Sequence, residues 1–290
     1  MKSTILNIKL KKIFNIINLI VAPIKCYNVI VYLIFKKKFS QGYEYFKWIK
    51  IKYFINLKSK KLFIKNIINL DERLIEYKWI FNELTKSSKK LNLLDAGSTL
   101  NFPIIIEKLK NRYNITIQTL YPENYSFYDE GISYIYEDLT KKKFNKNTFD
   151  IITCISTLEH VGFDNSIYSN RRKKISKNKN KLNYLKVIDN FQFILKTGGV
   201  LLLTMPYGAP KEYKNLQVFD EKKINNIIKK FKPQKSFIKY ANFNQGIWKE
   251  CSSAECLRDE KLSDINSFTA NNINHSLKSA NSVVLIKLVK

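Results

Sequence analysis

From about residue 71 to the end of the chain, strand-like and helix-like segments alternate. This order predicts an α/β fold, a doubly wound and mostly parallel Rossmann-like sheet with right-handed crossovers. Three observations carry the prediction. The runs Leu91–Leu94, Phe149–Ser156 (FDIITCIS) and Val200–Met205 (VLLLTM) have the continuous apolar character of strands buried on both faces. Between the last two lies Asn183–Leu195, with Leu185, Ile188, Phe191 and Leu195 on one helical face. The first run closes on Asp95-Ala96-Gly97-Ser98 before a helix-like run, Phe102–Leu109. Such a strand–turn–helix unit sets a helix N-terminus and backbone N–H groups at the carboxyl end of a strand, where nucleotide-like ligands bind in open sheets.

The other elements follow in order. Asp71–Leu84 reads as a helix with Leu74, Ile75, Trp79 and Ile80 facing inward. Strands are expected at Ile115–Leu120, Ile132–Tyr136, Gln234–Asn242 and Ser282–Val289, and a helix at Asp220–Phe231. Gly198-Gly199 is expected to end the Asn183 helix. Two stretches fit the alternation poorly. Asn170–Lys181 (NRRKKISKNKNK) is basic and reads as a solvated loop or as a clamp for an anionic substrate. Lys249–Ala280 is polar with few apolar anchors and reads as a loop or lid.

Residues 1–70 are read as a basic, apolar, helical N-terminal extension to a domain spanning 71–290. Ile13, Ile16, Ile17, Ile20 and Ile24 share one helical face, interrupted by Pro23 and Lys25 and followed by Lys36, Lys37 and Lys38. Three readings stay open: a helix packed on the main domain, an interfacial helix on an anionic membrane, and a transmembrane span, for which no uncharged run reaches roughly 20 residues. No cleavable signal peptide is expected.

The 290 residues are 45% hydrophobic and 13% aromatic, enough for a large core. The net charge is +27, from 51 Lys and Arg against 24 Asp and Glu. A charge this basic raises nucleic acid or an anionic membrane as a partner. The same excess of Lys, Asn, Ile, Phe and Tyr also arises from A/T-rich codons, so the charge alone is discounted. Cys26, Cys154, Cys251 and Cys256 lack zinc or disulfide spacing. With only His160 and His275 besides, a metal site is not expected, and a reducing, cytoplasmic setting fits.

Phe149–Gly162 (FDIITCISTLEHVG), Leu195–Gly208 (LKTGGVLLLTMPYG) and the upstream LLDAGST together resemble the class I S-adenosylmethionine-dependent methyltransferases, in their type 11-like glycan and small-molecule branch. The helix carrying Glu76, Tyr77 and Trp79 is similar to that branch too. The resemblance implies a seven-stranded sheet with an antiparallel last strand, and S-adenosylmethionine as cofactor. It implies cofactor contacts from Asp95, Ala96, Gly97, Ser98, Thr119, Asp138, Ser156 and Thr157. It implies catalytic roles for His160, as general base, and Glu159. The chain departs from the family pattern in two places. Thr119 stands where the second strand commonly ends in a ribose-binding acid, with Glu123 four residues on, and Thr99 and Asn101 stand where later glycines are usual.

The function implied is methyl transfer to the oxygen or nitrogen of a small molecule or glycan, in polysaccharide biosynthesis, by a cytoplasmic protein with peripheral contact to the inner face of an anionic membrane. Two other readings stand beside it: a non-catalytic scaffold on a degenerate fold, and an RNA methyltransferase. Nucleic acid is ranked last because no recognised RNA-binding module accompanies the fold.

Overall fold

A computed structural model describes residues 41–57, 59–65, 71–84, 89–165, 180–213, 215–258 and 280–290. The isoleucine face at 13–24, the lysines at 36–38 and residues 170–179 of the basic insertion lie outside them. The chain divides into two compact units, Met1–Asn56 and Leu57–Lys290. In the first, α1 spans Gln41–Asn56. Among the described residues, no helix is long and apolar enough to cross a membrane.

The second unit is organised around one sheet. Its strands are β1 (Phe63–Lys65), β2 (Leu91–Ala96), β3 (Tyr113–Thr119), β4 (Ser133–Tyr136), β5 (Phe149–Ile155), β6 (Leu195–Pro206), β7 (Lys235–Asn244), β8 (Ile247–Cys251) and β9 (Ser282–Val289). Its helices are α2 (Arg73–Glu83), α3 (Pro103–Leu109), α4 (Asn183–Ile194), α5 (Glu221–Phe231) and α6 (Ser253–Arg258). The strand order is β1-β8-β7-β9-β6-β5-β2-β3-β4. Pairings from β6 through β5, β2 and β3 to β4 are parallel, and β9 runs antiparallel between β6 and β7.

The expected doubly wound sheet with an antiparallel last strand is therefore present. Among the described residues it has nine strands rather than seven. The two additions are short and carry polar residues, so alternation of apolar runs does not reveal them. β8 turns back on β7 through Gln245 and Gly246, both left-handed at φ 48° and 78°, as a tight hairpin requires. It occupies the start of the stretch read as loop or lid, and α6 follows directly. β1 pairs with β8 and lies inside the segment read as a helical extension.

Two helix starts have a clear local cause. Pro103 occupies the first turn of α3, where its missing N–H costs nothing. The Asp220 carboxylate accepts from the Lys223 N–H at 2.9 Å and caps α5. Gly198-Gly199 does not end a helix as expected. α4 stops at Ile194 and β6 begins at Leu195, so both glycines lie within the strand. There the pairing with β5 jumps from Phe149–Leu195 to Ile151–Val200. Gly198 is left-handed at φ 75°, and a side chain on Gly199 would begin 2.8 Å from the Lys196 carbonyl oxygen. Glycine here serves a β-bulge.

The central strands are buried on both faces. Leu93, Leu94, Ile152, Leu201, Leu203, Val284 and Ile286 have no accessible surface. This rigid layer fixes where the strand ends emerge, and β2 is the point from which the chain winds outward in both directions.

Candidate active site

A cavity of about 480 Å³ opens at the carboxyl ends of β2, β3, β4 and β5. That is the switch point at which ligands bind in doubly wound sheets, and the volume lies in the range for small-molecule sites. Most of the wall comes from residues that follow a strand.

After β2, the chain turns through Gly97 at φ 110° and Ser98 at φ 62°. Asp95 is fully buried beneath this turn and organises it. Its carboxylate accepts from the Leu100 N–H at 2.7 Å, the Thr99 hydroxyl at 3.3 Å and the Thr153 hydroxyl at 3.4 Å. Burial raises its pKa to about 7, against the pull of these hydrogen bonds. Gly97 and Thr99 reach the cavity, whereas Asp95, Ala96 and Ser98 do not line it. The need for glycine at 97 has a further cause. A side chain there would begin 2.1 Å from Thr157 Oγ1. The Thr157 hydroxyl itself donates to the Ile155 carbonyl at 2.9 Å, which holds it in place.

After β3, Thr119 lines the cavity and Glu123 stands on its wall. Glu123 lies among hydrogen-bonding groups of Ser98, Asn101 and Thr119, which lower its pKa but not enough to offset the desolvation that raises it. After β4, Glu137 and Asp138 line the cavity too. The Asp138 carboxylate accepts from the Thr140 N–H at 2.7 Å, so it also closes its own turn. Gln118 donates toward the Glu137 and Asp138 carbonyls at 3.4 Å and ties the two strand ends together.

After β5, Ser156 sits in left-handed backbone at φ 40° and lines the cavity beside Thr157. Its hydroxyl is committed elsewhere. Ser156 Oγ and Thr204 Oγ1 each donate to Glu76 Oε1 at 2.6 Å. Glu76 is fully buried and pairs through Oε2 with Arg73 at 2.7 Å. Arg73 reaches the cavity and is the one charged cation among its described lining residues. Next to this pair, the Tyr77 hydroxyl donates to the Thr99 carbonyl. Helix α2 is thus bolted across the ends of β2, β5 and β6. The family resemblance singles out the helix carrying Glu76, Tyr77 and Trp79 but assigns it no part in the site, and neither Arg73 nor the clamp on Ser156 is legible from it.

His160 lines the cavity, and its Nδ1 lies 2.8 Å from the Asn215 carbonyl oxygen. A carbonyl accepts only, so Nδ1 carries the proton and Nε2 is the basic nitrogen. Burial lowers the imidazole pKa to about 4. Glu159, expected to be catalytic alongside His160, is placed away from the cavity. It is 2% exposed and does not line the cavity, and burial raises its pKa well above the usual carboxylate range. The 3₁₀ turn Leu158–His160 rotates successive side chains apart, bringing His160 to the cavity and Glu159 into the interior.

The strand order decides the architecture. The fold is a doubly wound, Rossmann-like α/β sheet whose last strand runs antiparallel. No protein-family model matches the chain, and no curated protein matches it. Solved structures do. N-methyltransferase NodS from Bradyrhizobium japonicum WM9, in complex with S-adenosylhomocysteine, is 11% identical with a TM-score of 0.45, over 84% of this chain and 98% of that one. The 1,6-didemethyltoxoflavin-N1-methyltransferase of Burkholderia thailandensis is 10% identical with a TM-score of 0.42, over 70% and 72%. Phosphoethanolamine N-methyltransferase 2 of Haemonchus contortus is 15% identical with a TM-score of 0.44, over 71% and 50%. Similarity at this level concerns the fold.

Proposed function

We propose that the protein is an S-adenosylmethionine-dependent methyltransferase acting on a small-molecule or glycan acceptor. The observation that carries this reading is the charge and shape of the cavity at the switch point. The cofactor is a zwitterion bearing an ammonium, a carboxylate, a sulfonium and an adenosine. Glu123, Glu137 and Asp138 suit its cationic and hydroxyl groups, Arg73 suits a carboxylate, and the Gly97 turn offers backbone with no side chain in the way. Glu123 lines the cavity four residues beyond Thr119, and we assign to it the ribose contact of the missing acid, which favours a working enzyme over a degenerate scaffold.

When bound, the cofactor supplies an electrophilic methyl group. The chain's own task is to align the acceptor and receive its proton, so positioning carries most of the rate. His160 is the proposed base. An imidazole with pKa about 4 is a weak base, yet it stays neutral at physiological pH. A weak base suffices where the acceptor oxygen or nitrogen becomes strongly acidic as its new bond forms. Peripheral attachment to an anionic membrane through residues 1–40 remains part of the proposal, because lipid-linked glycan precursors lie at such a surface. Full-length protein should then float with anionic liposomes at low salt.

Calorimetric titration of the full-length protein with S-adenosylmethionine and S-adenosylhomocysteine tests the central claim. Saturable binding with one site is expected for both. Absence of binding up to millimolar ligand would overturn the enzyme reading and favour the scaffold.

A further inference from the structure

Cys251 and Cys256 stand apart from the cavity, and the proposed reaction uses neither. Cys251 is the last residue of β8, and Cys256 lies in α6. Their sulfurs are 3.3 Å apart and not bonded. A disulfide bond is about 2.05 Å long, so the two atoms need to close by only about 1.3 Å. The approach is built in by the connection between them. Ser252 and Glu255 form a reciprocal cap: Glu255 Oε2 accepts from the Ser252 N–H at 2.7 Å, and Ser252 Oγ accepts from the Glu255 N–H at 3.3 Å. This cap turns the chain so that the first turn of α6 brings Cys256 back over the end of β8.

We propose that Cys251 and Cys256 are a redox modification site that forms a reversible intramolecular disulfide. The two thiols differ in access. Cys251 is partly exposed, and Cys256 is buried at 0%. That is the arrangement of an attacking thiol and a resolving thiol. With hydrogen peroxide as oxidant, Cys251 Sγ attacks one peroxide oxygen, the O–O bond breaks, and water leaves. Cys251 is then a sulfenic acid. Cys256 Sγ attacks that sulfur, the S–O bond breaks, and the hydroxyl leaves with the Cys256 proton as a second water. The two cysteines lose two hydrogen atoms, and the peroxide is reduced. The hydrogen bond between the thiols and their burial hold the Cys251 thiol above its ordinary pKa, so the first step speeds up as pH rises.

The position gives the link a route to the site. The Cys256 carbonyl oxygen lies 3.6 Å from where a side chain on Gly208 would begin. Gly208 donates to the Phe219 carbonyl at 3.0 Å and closes the base of the loop whose Asn215 carbonyl holds His160. A disulfide would pin α6 against that base.

The test uses the full-length protein, fully reduced and then treated with a slight excess of hydrogen peroxide at pH 8. Alkylation under denaturing conditions, trypsin digestion and mass spectrometry follow. Trypsin cuts after Lys249 and Arg258, so Glu250–Arg258 carries both cysteines in one peptide. The expected product is this peptide two hydrogen atoms lighter and unalkylated, returning to the doubly alkylated form after dithiothreitol. The oxidised protein should melt a few degrees higher than the reduced protein. Cys251→Ser should remove both effects, and because Cys251 is only partly buried this variant should fold. Full alkylation of both cysteines after oxidation would overturn the proposal. So would a link from either to Cys26 or Cys154, or a sulfinic acid on Cys251 without a link.

Discussion

Glu76 is the residue whose loss should cost most per atom removed. Its carboxylate is fully buried and holds two hydroxyls at 2.6 Å and one guanidinium at 2.7 Å. Glu76→Ala would strand Arg73 without its buried counter-charge and leave Ser156 and Thr204 without their acceptor. Removing one partner of a buried pair costs about 3–5 kcal/mol. For a chain of this size, with a shift of about 2–4 °C per kcal/mol, Tm should fall by ~6–20 °C. Glu76→Gln keeps the shape and one acceptor oxygen, so it should cost less than alanine but still measurably. The assay is urea unfolding followed by far-UV circular dichroism, with Ser156→Ala and the double variant completing a cycle. The pair shares one hydrogen bond, so the two costs should fall short of additive by at least about 0.5 kcal/mol. A loss below about 1 kcal/mol for Glu76→Ala, or strict additivity with Ser156→Ala, would refute the clamp.

Three further outcomes follow from the site. Gly97→Ala forces a side chain into Thr157 and into left-handed backbone, and should lose at least about 1–3 kcal/mol of stability by the same unfolding assay. Pairing it with Thr157→Gly should recover part of that loss. Glu123→Ala should leave stability almost unchanged and weaken S-adenosylmethionine binding by about 1–3 kcal/mol in calorimetry. An unchanged affinity would assign the ribose contact to another group. The pH dependence comes from groups of opposite sign. Asp95, raised to about 7, and Glu72, raised to about 8 by burial and neighbouring acids, bind more protons in the folded state, so stability falls as pH rises from about 4 through 8. His160, lowered to about 4, binds fewer protons when folded, so its contribution falls as pH drops from about 6.5 to 4. Asp95→Asn should flatten the upward-pH loss between about 4 and 7, and a slope unchanged by that variant would remove Asp95 as its source.

The sheet was readable because parallel strands buried on both faces are apolar throughout, and β2, β5 and β6 are such runs. The positions just after them were readable for the same reason. Once the strand ends are placed, Gly97, Thr119, Asp138, Thr157 and His160 have to emerge at one edge, and all five line the cavity. What escaped depends on orientation or on partners distant in sequence. Glu159 and His160 are adjacent, and only the 3₁₀ turn separates their fates. Ser156 gives its hydroxyl to Glu76, 80 residues earlier in the chain. No spacing rule finds such a pair, because α2 approaches the strand ends from outside the alternating pattern. β1 and β8 escaped because short strands at the sheet's margin need no continuous apolar face.

The net charge of +27 also reads differently once it is located. Between Tyr121 and Asp138 there is no Lys or Arg, while Glu123, Asp129, Glu130, Glu137 and Asp138 all fall there. Three of these acids line the cavity, against Arg73 as the one charged cation among its described lining residues. Arg73 is itself paired to Glu76. A polyanion drawn to the basic surface would therefore meet repulsion at the cavity wall, whereas a cationic or zwitterionic small molecule would be favoured there. Composition alone cannot separate these cases, because it averages an acidic cavity wall into a lysine-rich exterior. The separation has a measurable consequence: raising the salt concentration should weaken any nucleic-acid association steeply, since phosphate contacts release counterions. Binding of a zwitterionic ligand inside the cavity should change far less over the same range, because its partners are partly buried and poorly screened.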